Sequence, residues 1–145
     1  MTLTGFDPVK GRGKVLRTIQ KDATASFDGA GPPPDGTTFA ISRGREVEIH
    51  IRLLSLSGGS DREIAVKGWP NLTGLDWPDG NGLYCGSVSN QASTLLYVDL
   101  KGAAKVLWQY KAAGSGIWGV PSPDGRYLAI RGDVLKSNVW MLEGF

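Results

Sequence analysis

The sequence of 145 residues predicts an all-β protein built from a repeated unit of four strands. Three observations carry this prediction. The tripeptide Pro-Asp-Gly occurs three times, at a spacing of 44 and then 45 residues. Each copy is followed by apolar residues at alternate positions, as in a strand with one buried face. The 21 glycines and eight prolines are spaced along the chain, which suits short strands joined by turns better than helices.

Each Pro-Asp-Gly tripeptide predicts a tight turn between two strands. Proline presets the backbone for the first central position, aspartate accepts hydrogen bonds from nearby amides, and glycine adopts the positive φ that such a turn requires. The turn residues are Asp35 and Gly36, Asp79 and Gly80, and Asp124 and Gly125. A calcium site would need several further oxygen ligands converging on one point. We therefore expect the three aspartates to cap turns.

The segments around these turns predict the strands in order. In the second repeat, four strands are expected at residues 72–77, 81–87, 95–103 and 105–111. The first repeat supplies second, third and fourth strands at 37–42, 51–59 and 62–68, and the third repeat supplies first, second and third strands at 117–122, 126–132 and 137–144. Residues 3–8 and 14–20 are expected as a further third and fourth strand. The repeats thus span about 21–68, 69–111 and 112–145, with residues 1–20 completing the last unit.

Four antiparallel strands in about 44 residues are typical of a β-propeller blade. The strings "SPDGRYLAI" at residues 122–130 and "VWMLEG" at 139–144 resemble the repeats of TolB-like propellers, whose pattern is S-P-D-G-[KR]-x-[IL]-A. The second repeat departs from this pattern at Trp77 and Gly86, and the first has "DGAGPPPDG" at 28–36 in place of a first strand. Because proline cannot donate to a strand ladder, that strand is expected to be broken or bulged.

The resemblance implies a fold and a range of roles rather than one activity. Similar propellers act as periplasmic interaction proteins and as sensory or docking domains attached to signalling modules. It therefore implies a non-catalytic protein-interaction or scaffold module with an extracytoplasmic location. The alternative is an enzyme, either with a site in the propeller channel or as the gating propeller of a hydrolase or peptidase whose catalytic part lies elsewhere.

Three blades cannot close a ring, because propellers have at least four. One explanation is that these residues are the C-terminal portion of a propeller with six to eight blades. The other is that two copies associate head to tail into a six-bladed ring, each lending residues 14–20 to the last blade of the other. Such a ring would remove exposed sheet edges. Residues 3–8 duplicate the third strand expected at 137–144. This duplication favours the first explanation, that the residues are a portion of a longer propeller, and it is compatible with dimerisation of that portion.

The charge pattern argues against two classes of partner. The formal net charge is +2, from 16 basic and 14 acidic residues that are scattered singly. Without a clustered stripe of lysine and arginine, we expect no nucleic-acid interface. No stretch approaches the roughly 20 apolar residues of a membrane span, and the first residues lack the pattern of a secretory signal. We expect no membrane insertion of this segment.

The residues that most often carry chemistry are few. His50 is the one histidine and lies inside an expected strand, so it is interpreted as an outward-facing strand residue rather than a triad member or metal ligand. Cys85, the one cysteine, shares the register of Ile41 and Ile130 and is interpreted as a buried hydrophobe rather than a nucleophile. The string "GRGK" at 11–14 is expected to be a loop, not a phosphate site. No catalytic residue, metal ligand or cofactor is predicted.

Three tryptophans are the candidates for a binding surface. Trp69, Trp77 and Trp118 lie before or within expected first strands, which line the channel of a propeller or pack between its blades. Packing between blades is the favoured interpretation, and an aromatic surface at a channel mouth is the alternative. Near the ends of expected second strands lie Arg43, Arg45 and Arg131. Solvated loop charges are the favoured interpretation of these arginines, and the alternative is that they join such a surface.

Overall fold

A computed structural model of the chain describes residues 2–19, 35–43, 48–111 and 114–134, and in these residues it confirms the all-β prediction. They form eleven strands and no helix. The strands are β1 (Thr2–Asp7), β2 (Gly11–Thr18), β3 (Thr38–Arg43), β4 (Glu48–Ser55), β5 (Arg62–Lys67), β6 (Leu72–Asp76), β7 (Gly82–Val88), β8 (Ser93–Asp99), β9 (Ala104–Tyr110), β10 (Gly114–Pro121) and β11 (Leu128–Val134). The third strand expected at 137–144 and most of the proline-rich segment fall outside the described residues.

The strands form four separate antiparallel sheets whose neighbours follow one another in the sequence. We call them the first hairpin (β1–β2), the three-stranded sheet (β3–β4–β5), the four-stranded sheet (β6–β7–β8–β9) and the last hairpin (β10–β11). The four strands expected in the second repeat are present in the expected order. In the described part of the chain no sheet closes on itself.

Several strand boundaries differ from the prediction because of turns that the sequence pattern did not reveal. The strand expected at 51–59 ends at Ser55, whose Oγ accepts the backbone N–H of Gly59 (2.8 Å) in the following turn.

Two further turns are closed by aspartates. The strand expected at 95–103 ends at Asp99, whose Oδ1 accepts hydrogen bonds from the backbone N–H groups of Lys101 (2.8 Å) and Ala103 (2.9 Å). The "GRGK" string is not a loop, since β2 begins at Gly11. The turn before it is closed by Asp7, which accepts the N–H groups of the two residues that precede Gly11, so the chain enters the strand early.

The predicted capping by the three turn aspartates is confirmed. In each turn, Oδ1 of the aspartate accepts a hydrogen bond from the backbone N–H two residues later. The pairs are Asp35 with Thr37 (3.0 Å), Asp79 with Asn81 (2.7 Å) and Asp124 with Arg126 (3.1 Å). These carboxylates are therefore engaged by their own turns.

The predicted positive φ holds at two of the three turn glycines. Gly36 and Gly125 have φ of 66° and 67°, whereas Gly80 is not in the positive-φ region, so the prediction is wrong there. In the third turn the Ser122 hydroxyl donates to Asp124 and accepts the backbone N–H of Tyr127 (3.0 Å). The second turn has no such bridge, because Trp77 takes the place of the serine and is buried.

This difference predicts unequal costs for the same substitution in two turns. Gly125→Ala is expected to lower the free energy of unfolding by about 1 kcal/mol, because a Cβ is disfavoured in the left-handed region. Gly80→Ala is the matched control and is expected to be nearly neutral, since its backbone is ordinary and nothing lies within 4 Å of the added Cβ. Urea unfolding at one protein concentration measures both. Equal losses would contradict the assigned turn conformations.

The sheets stack face to face in chain order. The main core lies between the three-stranded and four-stranded sheets and contains buried residues of both, namely Ala40, Ile49, Ile51, Leu53, Ile64, Val66, Leu72, Leu75, Trp77, Leu83, Cys85, Leu96 and Val98. A second cluster of Ile19, Ile41 and Leu54, with Leu3 and Phe39 packed against it, joins the first hairpin to the other face of the three-stranded sheet. The last hairpin packs on the far face of the four-stranded sheet, where Ile117 is fully buried.

Glycines permit the closest approaches between sheets. A Cβ added to Gly86 on β7 would collide with the backbone carbonyl of Ile117 on β10, and one added to Gly102 would collide with the carbonyl of Ala65 on β5. These glycines lie on opposite sides of the four-stranded sheet. The departure of Gly86 from the repeat pattern therefore has a packing reason.

Candidate functional site

The three candidate tryptophans all lie at contacts between sheets. Trp77 is 6% exposed and belongs to the main core, and Trp69 packs against the same core. Trp118 on β10 lies against Gly74 of β6, where an added Cβ would come within 2.6 Å of the Trp118 Cβ. These positions favour packing over an aromatic binding surface, because little of the Trp77 ring is open to a partner.

Arg131 is the exposed member of the predicted surface. Its guanidinium carbon lies 4.3 Å from the centroid of the Trp118 ring, and Trp118 and Arg131 are opposite each other in the β10–β11 ladder. The Arg131 Nε also donates to Oδ1 of Asp133 at 3.2 Å. Arg131 therefore makes a cation–π contact with the Trp118 ring and an ion pair with Asp133, and both contacts lie on the solvated surface. The side chains of Arg43 and Arg45 lie outside the described residues.

The burial predicted for Cys85 is confirmed. Its side chain is fully buried on β7, and this burial raises the pKa of the thiol to about 12. The thiol is thus protonated at neutral pH and lacks the thiolate character of a nucleophile. His50 on β4 is half-buried between the buried residues Ile49 and Ile51, as expected for the opposite face of a strand.

Among the cavities lined by described residues, two lie between neighbouring sheets. One of about 120 Å³ is near the first two Pro-Asp-Gly turns, and Asp35, Ser60, Arg62 and Trp77 are among its lining residues. It is large enough for a few water molecules. The other, of about 380 Å³, is a mostly apolar groove between the first hairpin and the three-stranded sheet, with Leu16 among its lining residues.

No cluster with metal-binding composition occurs in the described residues: no three or more histidine, cysteine, aspartate or glutamate residues lie close enough together to hold an ion. In the same part of the chain, no helix is long and apolar enough to cross a membrane.

An ionic cluster fastens the first hairpin to the three-stranded sheet. Arg17 on β2 donates through Nη1 to the carbonyl of Ser55 (2.7 Å) and through Nη2 to Oδ2 of Asp61 (2.8 Å), and Arg52 on β4 donates to the same Oδ2 (3.0 Å). Burial acts to raise the pKa of Asp61, but the hydrogen bond from the Ser55 backbone and the two guanidiniums together outweigh it. The pKa of Asp61 is therefore lowered in the folded protein.

Replacing Asp61 should weaken this attachment in a pH-dependent way. Asp61→Asn is expected to lower the free energy of unfolding by about 1 to 2 kcal/mol at pH 7, because a charged acceptor shared by two arginines is lost. Since the pKa of Asp61 is lowered, its stabilisation is complete above the unfolded value of 3.8 and is lost as pH falls through the lower folded value. Urea unfolding should show the two proteins converging below about pH 3.8. A difference that is constant with pH would contradict the role of the charge.

The exposed large apolar side chains of the described residues lie on the two end hairpins and on β9, and sequence reasoning missed them. Phe6 on β1 is 76% exposed. On the other side of the molecule, the rings of Trp108 and Tyr110 on β9 are stacked 5.9 Å apart and about 40% exposed, near the 42%-exposed Ile130 of β11. The alternation of apolar and polar residues along β1 and β9 was visible in the sequence. The sequence did not reveal which face of each end sheet lacks a neighbour among the described sheets. Contiguous exposed apolar surface of this kind often marks an interaction site.

The comparisons with known proteins add no identification. The chain matches no protein-family model and no curated protein. The sheets and their exposed faces are therefore the features that indicate a function.

Proposed function

We propose that this chain is a run of β-propeller blades that acts as a non-catalytic protein-interaction module. The observation that carries the proposal is the stacking of four antiparallel sheets, face to face and in chain order, at the spacing of the Pro-Asp-Gly repeat. Successive blades of a propeller pack in this way. The hydrogen-bonded Ser122–Asp124 turn supports the same proposal, because it uses the residues on which the resemblance to TolB-like propellers depends.

The number of strands in each sheet supports a second copy of the chain as the partner. The four-stranded sheet is complete by the blade pattern, whereas each end hairpin has two strands in the described residues. By order along the chain, the last hairpin corresponds to the inner half of a blade and the first hairpin to the outer half. A second copy, placed head to tail, would supply the missing halves and close a ring of six blades.

The side chains best suited to chemistry have other roles in this arrangement. The Cys85 thiol is buried and protonated, and the three turn aspartates accept hydrogen bonds from their own backbone. Arg131 lies on Trp118 and pairs with Asp133. These contacts favour a binding and scaffold role over the channel-site enzyme.

Small-angle X-ray scattering of the purified chain tests this proposal. A compact protein of this length has a radius of gyration of roughly 15 Å, and a compact assembly of two copies roughly 19 Å. We expect the larger value, unchanged on dilution, because closing the ring covers apolar faces and open edges. A particle of one copy at all concentrations would contradict the proposed assembly.

A further inference from the structure

The first hairpin is a second version of the outer half of the four-stranded sheet. The shared residues are Thr2 and Thr94, Leu3 and Leu95, Asp7 and Asp99, Lys10 and Lys101, Gly11 and Gly102, and the Lys-Val-Leu strings that begin at Lys14 and Lys105. The turns agree as well. Asp7 and Asp99 each accept two backbone N–H groups, and Gly11 and Gly102 have φ of 82° and 90°. The first hairpin is thus an outer half-sheet in sequence and in conformation.

The two faces of the first hairpin are occupied unequally. Leu3 corresponds to Leu95, and both pack toward the next sheet along the chain: Leu3 against the three-stranded sheet, and Leu95 within 3.0 Å of the Cβ position of Gly119 on β10. Phe6 corresponds to Val98, which is fully buried against the preceding sheet. Phe6 is 76% exposed, because no described sheet precedes the first hairpin.

A matching exposed surface is present at the other end of the stack. In the described residues β11 pairs with β10 along one of its two edges. Beside the other edge, the exposed rings of Trp108 and Tyr110 project from β9, and the Cβ position of Gly132 lies 3.8 Å from the Trp108 ring. We call the surface formed by Trp108, Tyr110 and Ile130 the β9–β11 surface. Since β10 and β11 correspond to β6 and β7, strands that correspond to β8 and β9 would extend their sheet beside this surface.

We propose that the β9–β11 surface binds the first hairpin of a second copy, with β1 adding to the edge of β11 that does not pair with β10. This inference rests on the proposed function and names the two surfaces that would meet. The β7–β8 ladder gives the register: Cys85 lies opposite Leu96, and the corresponding residues are Ile130 and Thr4. In the combined sheet, Phe6 of one copy packs toward the aromatic face of the four-stranded sheet of the other.

A cross-link between copies tests the register. Thr4→Cys and Ile130→Cys are made as separate variants of the full chain, mixed and oxidised, and opposed strand residues are within the Cα separation that a disulfide tolerates. We expect a disulfide-linked pair containing one chain of each variant. Cys85 does not compete because it is buried. Thr4→Cys mixed with Ser57→Cys is the control, since Ser57 is exposed on a turn of the three-stranded sheet, and it should give no linked pair above background.

Substitutions on the hairpin provide a second readout. Phe6→Asp should weaken association at least about tenfold, because it places a charge in the proposed interface, whereas Val9→Asp, on the exposed turn of the same hairpin, should leave association unchanged. A two-copy particle with no Thr4–Ile130 cross-link, or one that tolerates Phe6→Asp, would overturn this inference and leave the proposed function standing. A two-copy particle without the cross-link is the result expected if residues 137–144 of the same chain pair with β11 in place of β1. A one-copy particle would overturn both.

Discussion

Replacing Gly86 with alanine is expected to lower the free energy of unfolding by about 3 kcal/mol, the upper part of the range for overpacking a tight contact. The added methyl group would collide with the backbone carbonyl of Ile117, which is a rigid neighbour because β10 is held in its ladder with β11. The last hairpin would have to move away from the four-stranded sheet. Urea unfolding, with near-ultraviolet circular dichroism to follow the tryptophans, measures the loss.

The control for this substitution is Gly80→Ala, which adds the same methyl group to open space in the adjoining turn. It should unfold like the unmodified chain at the same protein concentration. If Gly86→Ala were equally neutral, β7 and β10 could not approach as closely as described, and the stacking of the last hairpin on the four-stranded sheet would be wrong.

Truncating Leu96 is the second substitution with a large expected effect. Leu96→Ala should cost about 3 to 4 kcal/mol, because it removes a fully buried side chain from the main core and leaves a cavity between two sheets. The residue contacts the core on which both the three-stranded and four-stranded sheets depend. We expect one cooperative unfolding transition at a lower urea midpoint.

Leu107→Ala is the matched control, since it makes the same chemical change on the adjacent strand β9 at a position that is 38% exposed. Its cost should stay below about 1 kcal/mol. Equal losses for the two leucines would contradict the burial pattern of the four-stranded sheet. They would also remove the distinction between the inner core and the outer strand on which the blade interpretation depends.

Local chemistry explains why the turns and the strand order were predictable. Asp35, Asp79 and Asp124 each need only the backbone of their own turn to form the observed hydrogen bonds, so three residues of sequence contain the information. The alternating apolar pattern likewise predicted β7, including the burial of Cys85.

Features that depend on a neighbouring sheet were not predictable. Gly86 departs from the repeat pattern because of its closeness to Ile117, and Gly80 has a different φ from the other two turn glycines, which the shared Pro-Asp-Gly string does not reveal. The exposure of Phe6 and that of Trp108 have the same cause, since each depends on which of the described sheets lie beside the residue. Local sequence patterns predict the strands, whereas contacts between strands that are far apart in the sequence determine the packing of the sheets and the exposure of their faces.

The absolute mass of the chain in solution is the most direct test of the proposed ring. Light scattering after size-exclusion chromatography, over a wide range of loading concentrations, separates one copy of 15.5 kDa from two. We expect twice the chain mass at every concentration, because in the proposed ring each copy covers both the second edge of β11 and the face of Phe6 on its partner. A mass of one chain throughout would contradict it.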